Sequence, residues 1–427
     1  MTNLTYSGLG TPRLPSSALV LGLAMTLVLT FVASAAAQVR PFKVIYTFSG
    51  GEDGAMPQAG LTMDGAGNLY GTTSNGGTAG GGTVFELSPR ESGWLFTVLH
   101  SFTGGNDGAR PAARVVFGRD GALYGTTMNG GSGGGGTVFR MTPPPTLCKT
   151  AFCPWVEVVL YSFAGNADGA NPGYGDLAFD DAGNIYGTTQ AGGGTGTGCP
   201  LLYGCGTVFA LTRSSGGQWA ESVLHRFADG LDGSTPTASV IFDKVGNLYG
   251  TTLSGGTGGV GTVYQLTPSG SGWIESILVN FPDDGAAPFG GLIFDQAGNL
   301  FGATIAGGFG RPCGSVYELT PSGGAWVFTS VYIFSGNDGP FGGLVMDASS
   351  NLYGTTFQDG EYLAGSVFKL APSDGGWTYT DLHDFCFGSC SGGKYPMGTL
   401  APDPAGNLYG TASEGGTGYG VAWEITP

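Results

Sequence analysis

Histidine and positive charge are the scarcest features of this sequence. Its 427 residues hold three histidines, and 15 lysines and arginines against 31 aspartates and glutamates, for a net charge of −16. The basic footprint of a nucleic-acid binder is missing. Charged residues of both signs reach only 11%. No segment after residue 37 is long and apolar enough to span a bilayer. There are seven cysteines, and no four-ligand cluster with the spacing of a zinc site is visible among them. The abundant residue is glycine, 84 copies, with 24 prolines. Without a period that composition would indicate disorder. Here the glycines recur at fixed places, and 41% hydrophobic with 12% aromatic residues can fill a core.

The period is set by Asn68–Leu69–Tyr70–Gly71–Thr72–Thr73, followed by Gly76–Gly77 and Gly82–Thr83–Val84–Phe85–Glu86–Leu87. The aromatic of this motif returns at Tyr124, Tyr186, Tyr249, Phe301, Tyr353 and Tyr409, at intervals from 52 residues (Tyr249 to Phe301) to 63 (Tyr186 to Tyr249). Repetition at this period indicates propeller blades or a solenoid. Each unit reads as four short strands. An apolar run such as Leu61–Thr62–Met63 comes first. An Asp-x-x-Gly-Asn turn follows, as in Asp64 to Asn68, Asp180 to Asn184, Asp243 to Asn247, Asp295 to Asn299 and Asp403 to Asn407. Asp can bond its own downstream backbone and Gly supplies positive φ, so this is a hairpin turn with a mechanism. The aromatic motif is the second strand and GTVFEL the third. The fourth starts at a tryptophan, as Trp94, Trp155, Trp219, Trp273, Trp326 and Trp377 do, and ends at a phenylalanine.

Seven four-stranded units predict an all-β fold, a seven-bladed β-propeller. The segment Val44–Ile45–Tyr46–Thr47–Phe48 matches a fourth strand, and Gly420 to Pro427 matches a third. The N-terminal strand is therefore expected to close the last blade, which removes the open edge between first and last blades. A solenoid would want capping repeats instead. Four departures stand out: a long insertion from Gln190 to Cys205, a second from Pro143 to Pro154, Asp359–Gly360 in place of Gly-Gly, and Trp423 in place of the third-strand Phe.

The run LYGTT, GG, GTVF-x-L-[ST]-P, W, SF-x-G-x-DGA-x-P closely resembles the tandem Gloeo/Verruco (GloVer) repeats of exported bacterial proteins, over nearly all of residues 42–427. The resemblance implies an exported, propeller-like protein and brings no catalytic residues. The order of Gly-Gly, aromatic and Trp is also similar to kelch repeats, with a weaker fit.

The N-terminus reads as a secretory signal over residues 1–37, leaving residues 38–427 as one propeller domain. Arg13 precedes an apolar run from Ala18 to Val32, and Ala35–Ala36–Ala37 offers a small-residue cleavage site. A membrane anchor fits less well, because the run is short and no basic stop follows. A secreted chain, extracellular or periplasmic, is expected. In such a chain Cys148/Cys153, Cys199/Cys205 and Cys386/Cys390 read as local disulfides, with Cys313 left free.

His100, His225 and His383 all stand two residues before the strand-ending Phe, where other units carry Tyr46, Tyr161, Val279 and Tyr332. They fall on outer strands of three different blades and are read as packing residues of one repeat slot. That removes a hydrolase triad and a His-ligated copper site. The repeated Trp and Tyr read as interblade core, since a sugar-stacking site would be confined to one or two blades. The acidic loops between blades are the candidate binding residues: Asp53, Asp107, Asp168, Asp232, Asp284 and Asp338, each followed by Gly. In a propeller they open on one face around the channel mouth. Turn chemistry alone accounts for them. A functional ring would attract a cation, with calcium the expected one, or a basic partner. The reading is of a non-enzymatic exported binding or structural module, a monomer, with a protein or glycan partner on that face. The alternative is a metal-dependent lyase or hydrolase working at the channel mouth.

Overall fold

The Asp-x-x-Gly-Asn turns fold as their chemistry dictates. Asp64 Oδ1 accepts the backbone N–H groups of Ala66 (2.8 Å) and Asn68 (2.9 Å), and its Oδ2 accepts Asn68 Nδ2 (2.8 Å) and the Tyr70 hydroxyl (3.2 Å). The bonds to Asn recur at Asp180, Asp243, Asp295 and Asp403, and the tyrosine bond recurs at all of these but Asp295, whose second strand carries Phe301. The full arrangement also forms at Asp347, where Ser350 takes the left-handed position (φ 63°) usually held by Gly. Each turn joins a two-residue inner strand to a fully buried second strand.

The computed structural model describes residues 42–427 apart from 145–153, 195–198, 200–203, 271, 282–285, 308–313 and 387–391. Among these residues seven antiparallel four-stranded sheets form the blades of a propeller. Blade 1 is Thr62–Met63, Leu69–Thr73, Thr83–Arg90 and Gly93–Ser101. In blade 7, Ala401–Pro402, Leu408–Ala412 and Val421–Ile425 are completed by Phe42–Thr47. The expected closure is therefore present. Phe42 pairs with Ile425 and Thr47 with Val421, and the register shifts between Val44 and Tyr46. The outer strand of blade 1 shifts its register at the equivalent place, so the N-terminal strand reproduces even the bulge of a true outer strand. The expected signal segment, residues 1–37, lies outside the described residues.

The second strand carries Gly in every blade because the far edge of a third-strand aromatic ring lies against it. A Cβ on Gly71 would stand 2.5 Å from the Phe85 ring and 2.8 Å from Leu61. This explains Trp423: its indole covers Gly410 in the same way, is fully buried and packs against the rings of Phe42 and Phe385. The Thr-Thr pair has two jobs. Thr73 Oγ1 meets Thr83 Oγ1 within the blade (2.8 Å), and Thr72 Oγ1 donates to Ala113 O of the next blade (3.1 Å). Thr411 makes the corresponding bond from blade 7 to Ala59 of blade 1 (2.7 Å), which joins the last blade to the first.

The repeated Tyr and Trp are interblade core, as the sequence implies. Tyr70 packs on Phe117 and Trp155 of the following blade, and Tyr249 on Phe294 and Trp326. Cys199 and Cys205 form a disulfide with Cα atoms 5.2 Å apart. Cys386 is also disulfide-bonded. Cys148, Cys153, Cys313 and Cys390 lie outside the described residues.

Candidate functional site

Each inter-blade loop, including the one before blade 7 that lacks Asp-Gly, pairs with the glycine-rich loop between the second and third strands of its own blade. The bridges are Ala55–Asn75, Ala109–Asn129, Ala170–Ala191, Ser234–Ser254, Ala286–Ala306, Asp338–Gln358 and Lys394–Glu414. Both sets of loops therefore crown one face of the ring. Directly after the bridge, Met56, Arg110, Asn171, Thr235, Ala287 and Tyr395 adopt left-handed backbone conformations. Their N–H groups bond the preceding blade, as Arg110 does to Gly81 O (2.8 Å) and Tyr395 to Ala364 O (2.8 Å). This interblade bond holds the strained position in place.

The Asp side chains turn back into their own loops. Asp53 accepts the N–H and hydroxyl of Ser49 (2.8 and 2.5 Å) and the Tyr46 hydroxyl (3.0 Å). Asp107 accepts the N–H and hydroxyl of Thr103 (2.8 and 2.5 Å), which hold its carboxyl below the usual range against a burial effect that opposes them. Asp168 accepts Ala164 N–H (2.7 Å) and the Tyr161 hydroxyl (3.1 Å). Asp232 takes Ala228 N–H (2.6 Å) and faces His225. A calcium ion at these carboxylates would have to share them with the loops they build. Asp338 is not equivalent to the others: its loop is shorter and it occupies the bridging position that Ala55 holds in blade 1. Burial raises its carboxyl. The buried Asp359 accepts the backbone N–H groups of Gly336 and Gly360, bracing that loop from the other side. Asp284 lies outside the described residues.

The slot shared by the three histidines faces the next blade, two residues beyond that blade's tryptophan. Aromatic pairs fill it at three interfaces: Tyr46 stacks on Phe96 (4.1 Å), Tyr332 on Tyr379 (4.6 Å) and His383 on Phe42 (3.7 Å). At three consecutive interfaces the facing residue is instead a glutamate: Glu157, Glu221 and Glu275. Burial first, then the neighbouring Asp107 or Asp168, pushes Glu157 and Glu221 up to about 7. Burial and Asp232 push Glu275 up to about 9. His383 fits the packing reading, and burial holds it at about 4. His225 does not: its Nε2 lies 3.0 Å from Asp232 Oδ1 and 3.6 Å from Glu275 Oε1.

At the loop-bearing face the channel narrows to a cavity of about 40 Å³, lined by all seven blades. Beyond it, toward the opposite face, the channel widens to about 670 Å³ between the inner strands. Gly60, Gly291 and Gly343 lie in the neck between the two. Arg114 and Asp176 take the corresponding places in blades 2 and 3, and they pair (Nε to Oδ2 2.9 Å, Nη2 to Oδ2 2.7 Å). The Arg114 backbone N–H also donates to Asp176 Oδ1 (3.1 Å).

A continuous row of aromatic rings lies along one side of this mouth. Tyr174 meets Phe289 (5.0 Å), Phe289 meets Phe341 (5.0 Å), Phe341 meets Phe357 (4.7 Å) and Phe357 meets Tyr395 (4.8 Å). Lys394 Nζ sits 4.8 Å from the Tyr395 ring centre and pairs with Glu414 (2.8 Å). All five rings are partly exposed. Tyr362, Leu363 and Tyr419 stand exposed on the second-to-third-strand loops of blades 6 and 7, on the same face.

The model of the Gloeobacter/Verrucomicrobia repeat matches residues 34–201 and 201–424. The chain belongs to the Gloeobacter/Verrucomicrobia repeat family. No curated protein matches it. Among solved structures, the repeat propeller is similar to PorZ, a surface component of the type-IX secretion system of Porphyromonas gingivalis. The identity is 13% and the TM-score 0.51, over 86% of this chain and 46% of that one. It is similar to a protein from Lactobacillus plantarum at 15% identity and TM-score 0.51, over 81% and 88%. A gluconolactonase from Xanthomonas campestris matches at 14% identity and TM-score 0.42, over 92% of each chain. At these identities the first two likenesses speak for the fold alone. Against the repeat, the aromatic row is an irregularity: blades 1, 2 and 4 carry Gln58, Ala112 and Thr237 directly after their prolines, where blades 5 and 6 carry Phe289 and Phe341. That contrast is visible in the sequence. The contact between Tyr174 of blade 3 and Phe289 of blade 5 is not, because only the closed ring brings them together.

Proposed function

We propose that this repeat propeller is an exported binding module that takes a carbohydrate at the channel mouth, on the face bearing the Asp-Gly loops. The observation that carries the reading is the row Tyr174, Phe289, Phe341, Phe357 and Tyr395. Five partly exposed rings on a rigid scaffold, each tilted by 30° to 65° against its neighbour, give a ridged row of apolar faces with polar hydroxyls at both ends. A sugar ring presents a matching C–H face and a hydroxyl rim. The row does not follow the repeat: its rings come from different positions in blades 3, 5, 6 and 7, and blades 1, 2 and 4 carry none. Export rests on the N-terminal signal pattern and on the family.

The charged groups lining the neck among the described residues are Arg114 and Asp176, and each is spent on the other. That favours binding over acid–base chemistry at the mouth. The test is a glycan array followed by calorimetry on the mature chain. Phe341→Ala with Phe357→Ala is expected to weaken a bound glycan about 30-fold or more, the effect of losing roughly 2 kcal/mol of anchor contact. Val245→Ser, at an exposed turn on the opposite face, should leave binding unchanged. A ligand that survives the double substitution, or that is lost with Val245, overturns the reading.

A further inference from the structure

Two of the seven blade interfaces carry the same three residue types: His100, Asp107 and Glu157 between blades 1 and 2, and His225, Asp232 and Glu275 between blades 3 and 4. At the second of these the ligand atoms converge. His225 Nε2, Asp232 Oδ1 and Glu275 Oε1 all lie within 4.8 Å of one another. The atom Glu275 Oε1 is buried, and the Glu275 and Asp232 carboxyls lie close enough to share a proton. A zinc ion with bonds of about 2.0–2.1 Å to nitrogen and oxygen sets tetrahedral ligand–ligand edges of roughly 3.3 Å. The His225–Asp232 and His225–Glu275 separations, 3.0 and 3.6 Å, bracket that edge. The side chains are 19%, 22% and 14% exposed for His225, Asp232 and Glu275, which leaves an entry path and room for a solvent ligand.

We propose that His225, Asp232 and Glu275 form a binding site for a zinc-type divalent cation that ties blade 3 to blade 4. One imidazole nitrogen and two carboxylate oxygens suit a borderline metal better than calcium, which takes six to eight oxygens. His225 and Asp232 come from the outer strand and following loop of blade 3, and Glu275 from the outer strand of blade 4. The ion therefore bridges two sheets that otherwise meet through side-chain packing and interblade hydrogen bonds such as Thr188 Oγ1 to Ala238 O (2.9 Å). The intervening interface has the same carboxylates, Asp168 and Glu221, but Tyr161 stands where the histidine would be and donates its hydroxyl to Asp168 (3.1 Å). It serves as an internal control.

The experiment uses untagged mature protein, dialysed against chelator and then titrated with Zn²⁺ by calorimetry and with Co²⁺ by visible absorption. The wild type is expected to bind with micromolar or tighter affinity, to show the absorption of low-coordinate Co²⁺, and to melt at higher temperature with Zn²⁺ present. Glu275→Gln, which keeps the side chain's shape, and His225→Gln should each remove one equivalent of metal. Both should also lose the Zn²⁺-dependent rise in melting temperature. Glu221→Gln should change neither. Each variant's melting temperature in chelator reports whether it is folded. A wild type that takes up no Zn²⁺ or Co²⁺, or an unchanged metal stoichiometry in folded Glu275→Gln and His225→Gln, overturns the proposal.

Discussion

Glu157 and Glu221 show how a single residue type can set the pH dependence of an interface. In the unfolded chain they ionise near 4.5, whereas burial beside Asp107 and Asp168 holds them protonated up to about 7 in the fold. His100, its own protonation disfavoured by burial, occupies the interface with Asp107 and Glu157; Tyr161 faces Glu221, and Arg226 partly offsets the effect there. Between pH 4.5 and 7 the folded state thus binds more protons than the unfolded one. These two groups favour the fold fully below 4.5, and that contribution is lost as pH rises through about 7. Glu157→Gln with Glu221→Gln mimics the protonated state at every pH. The double variant is expected to match the wild type near pH 4 and to melt at higher temperature at pH 8, with calorimetry across that range as the check. A variant that follows the wild-type curve would show that the pair does not govern it. The signal was in the sequence as Trp-x-Glu in three consecutive blades. Its meaning was hidden because only the ring shows that this position looks across at the His/Tyr slot.

At the scale of the element, most of a blade is legible, because its turns and close approaches follow from local chemistry. The Asp-x-x-Gly-Asn hairpins and the Thr-Thr strand ends need no distant information. The Asp-Gly loops are legible as turns for the same reason. Which of them are equivalent is not: Asp338 shares the dipeptide, but its shorter loop puts it two positions out of register, and Asp359 supports the loop instead. The glycine of the second strand is a testable case. Gly71 lies against the far edge of the Phe85 ring, so a methyl group there would force the ring and Leu61 aside. Gly71→Ala is expected to cost about 1–3 kcal/mol, the usual penalty for overpacking a filled core. Phe85→Leu in the same chain should recover part of that loss, so the two changes should cost less together than the sum of their separate effects. Denaturant titration of the four proteins in the cycle measures the coupling. Additive losses would mean that ring contact is not why Gly is required.

For the molecule as a whole, the seven-fold repeat predicted the ring, and the strand missing from one end matched the strand left over at the other. The mouth was harder to see: its rings come from different positions in four blades, and no local pattern unites them. The closing strand carries the largest consequence. Phe42–Thr47 pairs along the whole of Val421–Ile425. Phe42 stacks on His383 of blade 6 and Tyr46 on Phe96 of blade 1, while Phe48 is fully buried. Removing residues 38–48 takes away one fully buried and four partly buried apolar side chains, a loss on the order of 5 kcal/mol or more at 1.5–3 kcal/mol for each fully buried one. It also leaves the edge of Val421–Ile425 unpaired and open to association with other chains. The truncated protein should therefore melt well below the full mature chain and self-associate as its concentration rises. A synthetic peptide of residues 38–50 should restore the melting temperature in a saturable way, since an extended segment can add to a free sheet edge in trans. A Val44→Pro peptide, whose ring interrupts the strand, should not. A truncated chain that melts with the full one, or that ignores both peptides, would mean the ring is held by its other interfaces and that the N-terminal strand is an ornament of the last blade.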